Sequence, residues 1–216
     1  MNHSGEATEE YAHWRGNVKQ QTHWKGRNWM NLFDTLAAPS LEWRNEPGEW
    51  RFYSDRSLFL CAPGPQPEAA STDAAFVAPY LFARIDGDFQ ATTQLRLDAK
   101  QPGDAGFLMI AASDTSWAKF AIVRDEDACS TVSTVSRDGD LDICHAQTVA
   151  VKDPVLRIER RGTLVTFALS VKANEWKHIR HFGFFAPPSL QVGIGAESAP
   201  GGTCEATFEY LAVDSR

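Results

Sequence analysis

Residues 106–176 constrain the fold more than any other part of the chain, because they read as short strands joined by tight polar turns. Tryptophan stands at two of the joints, as Trp117 and Trp176. Short strands with polar turns are typical of a β-sandwich, and a sandwich with polar side chains on an open side offers a surface for a ligand. The strands predicted there are Gly106 to Ala112, Ala118 to Arg124, Ser130 to Ser136, Val155 to Arg160 and Leu164 to Val171.

The composition fits one domain with one large core. The chain has 216 residues, and all-β sandwiches of about 200–250 residues commonly form a single domain. With 43% hydrophobic residues, 13 Phe and 7 Trp, there is enough apolar material for two packed sheets. The turn signals give roughly eleven or twelve strands and scarcely a helix in the body. The sequence therefore predicts an all-β, two-sheet antiparallel jelly roll.

Residues 1–38 differ in character and are predicted to form an N-terminal arm, with the sandwich domain over 39–216. The arm carries two similar segments, HWRG at 13–16 and HWKG at 23–26. Its aromatic spacing fits neither strand alternation nor a continuous helix stripe, so short helices are expected only near 9–21 and 29–36. We expect the arm to cap the sandwich. The alternatives are an arm that covers the ligand groove or a partner subunit, or one that stacks on nucleic-acid bases.

The net charge of −7 argues against nucleic acid and anionic membranes as principal partners, because the electrostatic attraction has the wrong sign. No signal peptide or membrane span is recognisable, so a cytoplasmic protein is expected. The four cysteines lie far apart and are expected to be reduced, with Cys129 and Cys144 as the one pair whose bridging would be unsurprising. No cofactor is predicted, since phosphate loops, nucleophile elbows and dinucleotide fingerprints are missing.

Four segments of the chain resemble a known family. They are WRNEPGEW (43–50), DAGFLMIAASDTSWAKFAI (104–122), LRIERRGTLVTFALSVKANEW (156–176) and VGIGAES (192–198). In order and spacing, over residues 40–216, they are similar to the uncharacterised concanavalin A-like lectin/glucanase family that includes the fungal regulation-of-enolase protein. The resemblance implies a concanavalin A-like jelly roll without an established reaction. The chain departs from the family pattern at 72–76, at Asp104 and at 139–142, so the resemblance does not imply a ligand.

Two carboxylates are candidates for catalysis, Asp104 and Glu159. A glycosidase on this fold needs two carboxyl groups that face each other about 5–9 Å apart. The alternating residues Asp138, Asp140 and Asp142 stand on a turn that contains glycine. We interpret them as a solvated turn, with a calcium-type oxygen cluster or catalytic carboxylates as the alternatives.

The candidate ligand-binding residues combine aromatic and polar side chains. Guanidinium and carboxylate groups match vicinal hydroxyls, and tryptophan rings offer stacking platforms, although an Arg–Glu ladder and a tryptophan plug at a sheet edge are the plain structural alternatives. We expect Arg157, Glu159 and Trp117 to face one shared hollow while Leu156 and Ile158 lie between the sheets. The full ligand-binding set is Trp117, Lys119, Ser133, Arg157, Trp176 and Arg180.

Three functional hypotheses follow. The first is a non-catalytic or regulatory binding module whose groove accepts a saccharide-like or other polar small molecule. The second is an enzyme on the same scaffold, a glycosidase or a small-molecule cyclase or isomerase, with Asp104 or Glu159 as acid or base. The third is a protein-interaction subunit that forms a homodimer through the arm.

Overall fold

The structure is a computed structural model that describes residues 29–34, 39–54, 56–65, 77–150, 152–172 and 175–215. These residues form fifteen strands and no helix. No helix with the length and apolarity of a membrane span is therefore present in these ranges. The strands are β1 (Met30–Asn31), β2 (Glu42–Arg44), β3 (Glu49–Phe52), β4 (Leu58–Pro63), β5 (Tyr80–Asp86), β6 (Phe89–Asp98), β7 (Ala105–Ala111), β8 (Trp117–Arg124), β9 (Cys129–Arg137), β10 (Asp140–Val149), β11 (Val155–Arg161), β12 (Leu164–Lys172), β13 (Glu175–Gly183), β14 (Ser189–Glu197) and β15 (Thr203–Ser215).

The strands pair into two antiparallel sheets. One has eight strands in the order β13-β12-β11-β6-β15-β4-β3, with β1 also paired to β15. The other has seven strands in the order β10-β9-β8-β7-β14-β5-β2. The predicted all-β fold with two antiparallel sheets is confirmed.

Alternation along each strand decides which side chains enter the core between the sheets. Leu156 and Ile158 of β11 are fully buried there, as predicted, and Phe120 of β8 enters from the opposite sheet. The rings of Phe120 and Phe167 stack with centroids 5.2 Å apart, so the two sheets are joined by direct aromatic contact. Where the pairing is regular, the intervening residues of a strand point to an outer face, because successive side chains alternate.

The helix predicted near residues 29–36 is wrong over the described residues 29–34. Met30 and Asn31 pair with Val213 and Ala212 of β15, and Leu32 and Phe33 follow in a turn with both side chains buried in the core. The other predicted helix, near 9–21, and the segments at 13–16 and 23–26 lie outside the described residues. The division of the chain at residue 38 stays a prediction.

The placement of Asp138, Asp140 and Asp142 together on a turn is corrected, whereas the expectation of reduced cysteines agrees with the structure. Asp140 and Asp142 lie within β10, and only Asp138 and Gly139, both with positive φ, form the turn before it. The polar side chains of an edge strand hid its alternation from the sequence. Cys144 pairs with Ser133, four residues along β9 from Cys129, so the two cysteines are out of register, and all four cysteines are free.

Candidate functional site

The sandwich has two outer faces with different chemistry. The outer face of the seven-stranded sheet carries a second hydrophobic cluster, and we call it the aromatic face; its defining residues are Tyr80, Phe82, Phe107, Met109, Trp117, Lys119, Ala121 and Glu197. The outer face of the eight-stranded sheet carries polar side chains, and we call it the polar face; its defining residues are Gln90, Thr92, Gln94, Arg157, Glu159, Ser170 and Asp214. The core lies between the sheets, so the two faces point in opposite directions.

The predicted hollow shared by Arg157, Glu159 and Trp117 is wrong. Arg157 and Glu159 alternate with the core residues of β11 and so lie on the polar face. Trp117 alternates with the core residues of β8 and lies on the aromatic face. The alternation was read correctly on each strand, but β8 and β11 belong to different sheets. The predicted ligand-binding residues therefore divide among three places.

Trp117 and Lys119 lie together on the aromatic face. The Lys119 ammonium lies 5.4 Å from the centroid of the Phe107 ring. It donates to both carboxylate oxygens of Glu197, with Nζ 2.6 Å from Oε1 and 2.7 Å from Oε2. The Lys119 side chain is 12% exposed and that of Glu197 is 34% exposed. An ion pair therefore lies on an aromatic surface, with the carboxylate as its more accessible end.

Glycines of β14 make room for this aromatic surface. Val192 and Ile194 point into the core, whereas Gly193 and Gly195 point to the aromatic face. A Cβ added at Gly195 would lie 2.4 Å from Cζ of Phe107, and one added at Gly193 would lie 2.1 Å from the Leu81 carbonyl oxygen. Only glycine permits rings and backbone to approach this closely.

The edge strand β2 is tied to the middle of the seven-stranded sheet. Arg44 of β2 forms an ion pair with Asp114 in the loop between β7 and β8, three strands away in the sheet order. Beside Arg44, the Tyr80 hydroxyl donates to the Met109 carbonyl at 3.3 Å. Burial raises the pKa of Tyr80 well above its ordinary value, against the opposing effect of Arg44. Tyr80 therefore stays a neutral donor, and this side of the aromatic face is closed by a charged contact.

Arg157, Glu159 and Trp176 lie on the polar face. The Arg157 guanidinium lies 3.9 Å from the centroid of the Trp176 ring, in a cation–π contact. Glu159 accepts a hydrogen bond from Arg161 at 2.8 Å. The Arg–Glu contact agrees with the plain alternative considered from the sequence, an ordinary ladder on a sheet face.

Ser133 and Arg180 connect the two sheets at one edge. Arg180 of β13 forms an ion pair with Asp142 of β10 and donates to Oγ of Ser133 at 3.3 Å. Arg137 donates to the Gly183 carbonyl at 3.3 Å and lies 3.6 Å from the Asp142 carboxylate. These contacts bind edge strands of different sheets to each other. Ser133 and Arg180 therefore hold the two sheets together at this edge, and neither lies beside Trp117.

Asp104 is a buried structural carboxylate. Its Oδ2 accepts hydrogen bonds from the backbone amides of Lys100 and Gln101 at 2.8 and 3.1 Å. Its Oδ1 accepts one from Oγ of Ser198 at 2.7 Å and one from the amide of Ala199 at 3.3 Å. Burial alone would raise the pKa of Asp104, but these bonds outweigh it and lower that pKa below its ordinary value. A carboxylate with four donors and no exposed surface is a poor proton carrier for a ligand.

The structure does not bring the acidic candidates together. Asp104 is enclosed by the loops at 100–104 and 198–199, whereas Glu159 lies on the polar face. They do not form the facing carboxylate pair of a glycosidase. Among the described residues there is also no group of three His, Cys, Asp or Glu side chains placed to hold a metal, so the calcium-type cluster considered for 138–142 is not formed there.

Sequence reasoning missed Phe107 and Glu197, which complete the surface around Lys119. The signal lay in the G-I-G of 193–195, since glycines on the outward positions of a strand indicate that something packs closely there. Glu197 is 78 residues from Lys119, so only the pairing of β14 with β7 brings the two charges together.

A family model of proteins of unknown function, DUF1349, matches residues 43–216. The chain belongs to the DUF1349 family. No curated protein is similar enough to count as a relative. The finer resemblance, to the group that includes the fungal regulation-of-enolase protein, stays a prediction.

Solved structures share the fold of this DUF1349 chain at low identity. A functionally unknown protein from Saccharomyces cerevisiae is 17% identical with a TM-score of 0.71, over 82% of this chain and 96% of the other. The GH43 protein BlXynB from Bacillus licheniformis is 14% identical with a TM-score of 0.71, over 89% of this chain but only 40% of BlXynB. The alginate lyase from Klebsiella pneumoniae is 10% identical with a TM-score of 0.59, over 80% of this chain and 85% of the lyase. The predicted jelly-roll sandwich is confirmed.

Proposed function

We propose that this chain is a saccharide-binding module whose ligand contacts the aromatic face at Lys119 and Glu197. The observation that carries the proposal is the ion pair lying on the Phe107 ring, beside the hydrophobic cluster of the aromatic face. The ammonium of Lys119 offers donors and the Glu197 carboxylate offers acceptors. Sugar hydroxyls both donate and accept, so a pair of this kind can engage adjacent hydroxyls.

The surroundings of the pair favour a neutral polar ligand over a charged one. Lys119 and Glu197 compensate each other's charge, and a second ion pair, Arg44–Asp114, ties the edge of the same face. A net charge on the ligand finds no uncompensated partner in these two pairs. A neutral sugar can exchange hydrogen bonds with Glu197 while the pair stays intact.

The structural comparisons support the choice of a saccharide as the ligand class. BlXynB is a GH43 protein and the Klebsiella protein is an alginate lyase, and both contain the same sandwich. At 14% and 10% identity their activities do not transfer, so they serve here only to rank the ligands to be tried first. The cytoplasmic location and the dimerisation through the arm expected from the sequence stay predictions.

A glycan array followed by calorimetry on the best glycan tests the proposal. Glu197→Gln keeps the shape but removes the charge, and we expect it to weaken binding at least about tenfold, since a charge-assisted hydrogen bond is lost. Glu205→Gln is the matched control, because Glu205 pairs with Lys100 at 2.9 Å on the other sheet, and it should bind like the wild type. No hit on the array, or equal weakening by both variants, would reject the aromatic face as a saccharide site.

Chromatography of the bound glycan after long incubation separates binding from turnover. A binding module returns the glycan intact. Shortened or unsaturated products would replace the proposal with an enzyme on the same scaffold.

A further inference from the structure

The polar face is buried although it points away from the core. Gln90, Thr92, Gln94, Ser170 and Asp214 are each at most 7% exposed. Outward polar side chains of a sandwich are normally in contact with solvent. The seven-stranded sheet packs on the opposite side of these strands, so it does not cover them.

Contacts with Asp153 account for the burial of one end of the polar face. Gln94 donates from Nε2 to the Asp153 carbonyl at 3.2 Å, and Arg96 lies 3.2 Å from the Asp153 carboxylate. The other amide atom, Oε1 of Gln94, is buried and has no hydrogen-bond donor among the described residues. Buried polar atoms in folded proteins are nearly always satisfied. The cover of this face must therefore bring polar groups of its own.

The chain enters the described region at the border of this face. Met30 and Asn31 pair with Val213 and Ala212, so the register places Trp29 beside Asp214, an outward residue that is only 5% exposed. Twenty-eight residues precede Trp29. From β15 to β11 is two strand spacings, or about 10 Å, which a few extended residues can span.

The preceding segment is also complementary in charge. Residues 11–28 contain Arg15, Lys19, Lys25 and Arg27 and no Asp or Glu. The polar face carries three carboxylates: Asp214, Glu159, which is paired with Arg161 at 2.8 Å, and Glu209, which is paired with Arg96 at 3.4 Å. We propose that residues 11–28 cover the polar face of their own chain, with their basic side chains against these carboxylates. The proposal concerns the face opposite to the saccharide site and is independent of it.

Zero-length carbodiimide cross-linking of the full chain, read by peptide mass spectrometry, tests the contact. We expect Lys19 or Lys25 to couple to Glu159, Glu209 or Asp214 in the monomer. Lys100 and Glu205, 2.9 Å apart, provide the internal positive control. Lys19→Arg with Lys25→Arg keeps the charge and should abolish only the new cross-links.

Three cross-linking outcomes overturn the proposal. One is that the control pair couples but neither lysine of the arm does. Another is coupling to Glu42 or Glu197, which belong to the seven-stranded sheet. The third is coupling found only in a covalent dimer, which would make a second copy of the chain the occupant of the polar face.

Thiol labelling gives an independent measurement. A Thr92→Cys substitution places a thiol on the covered face, and its reaction with a maleimide should be slow in the otherwise unchanged chain. Reversing the charges of Arg15, Lys19, Lys25 and Arg27 to Glu should speed labelling at position 92 at least about tenfold. Ile143→Cys, at a position 54% exposed on the other sheet, is the control and should label quickly in both backgrounds. Equal rates at position 92 in both backgrounds would reject the cover.

Discussion

The aromatic face and the polar face are both outward surfaces of one sandwich, and both are largely buried, yet their chemistry differs. On the aromatic face Tyr80 and Phe107 are fully buried and a single ion pair, Lys119–Glu197, lies on the rings. On the polar face the buried groups are amides, hydroxyls and carboxylates. Apolar groups gain free energy when any neighbour excludes water, whereas polar groups need a partner that bonds to them. A segment that covers the polar face must therefore carry matching hydrogen-bonding groups, whereas one that covers the aromatic face need only exclude water.

This difference guides where function is sought. A charged pair on an apolar surface is an exception to its surroundings, and ligand sites typically combine an apolar lining with a few placed polar groups. The buried Gln90, Thr92 and Gln94 repeat along β6, with Ser170 of β12 in the same register row as Gln94, and are better explained by a permanent contact. We accordingly assign ligand binding to the first face and intramolecular contact to the second.

The largest expected effect comes from breaking the aromatic face. Phe107→Ala removes a fully buried ring that packs closely against Gly195. We expect a loss of about 3–5 kcal/mol in the free energy of unfolding. Ile143→Ala on the same sheet, at a position 54% exposed, is the control and should cost under about 1 kcal/mol. Urea denaturation measures both. A small loss of unfolding free energy at Phe107 would mean that the aromatic face is not tightly packed, and the contrast drawn between the two faces would then be wrong.

Replacing Asp104 is expected to have the next largest effect on stability. Its carboxylate is fully buried, whereas that of Glu197 is partly exposed. Asp104→Asn keeps the shape but replaces one acceptor oxygen with a donor, so the amides of Lys100 and Gln101 or the Ser198 hydroxyl lose their partner. We expect a cost of about 2 kcal/mol in the free energy of unfolding at neutral pH. Ser198→Ala removes only one of the four bonds and should cost less.

The pH dependence identifies the charge of Asp104 as the cause. Its folded pKa is lowered, so its contribution is complete above the ordinary aspartate pKa of about 3.9 and is lost as pH falls through the lower folded value. Wild type and Asp104→Asn should therefore approach each other in stability when urea midpoints are measured at successively lower pH below about 4. A difference that stays constant with pH would show that the variant loses packing rather than a charge.

The alternation of Val155 to Arg161 was sufficient to predict that Leu156 and Ile158 enter the core. It did not reveal that β11 joins β6 in one sheet while β8 joins β7 in the other. The choice of sheet depends on pairings between distant segments, which a local pattern does not contain. For that reason Trp117 and Arg157 were each oriented correctly and still combined into a hollow that does not exist.

The role of Asp104 was hidden for a related reason. Its partner Ser198 is 94 residues away, so the sequence showed only an acidic residue before a strand. Strand β13 escaped prediction because an edge strand with polar residues on both sides lacks a clear alternation. Local periodicity thus predicted the strands, whereas contacts between distant loops and edges decide what the individual polar residues do.

The smallest effect separates the ion pair of the proposed site from an ordinary one. Removing Lys119 and Glu197 singly and together gives their coupling free energy, and we expect at most about 1 kcal/mol, because Glu197 keeps about a third of its side chain in solvent. Lys100 and Glu205, both well exposed, should show no measurable coupling. Raising the salt concentration should weaken the coupling of the first pair only slightly, since Lys119 is shielded by the Phe107 ring. If the two pairs behave alike, the pair on the aromatic face is an ordinary surface contact, and its place as the centre of a ligand site loses its physical basis.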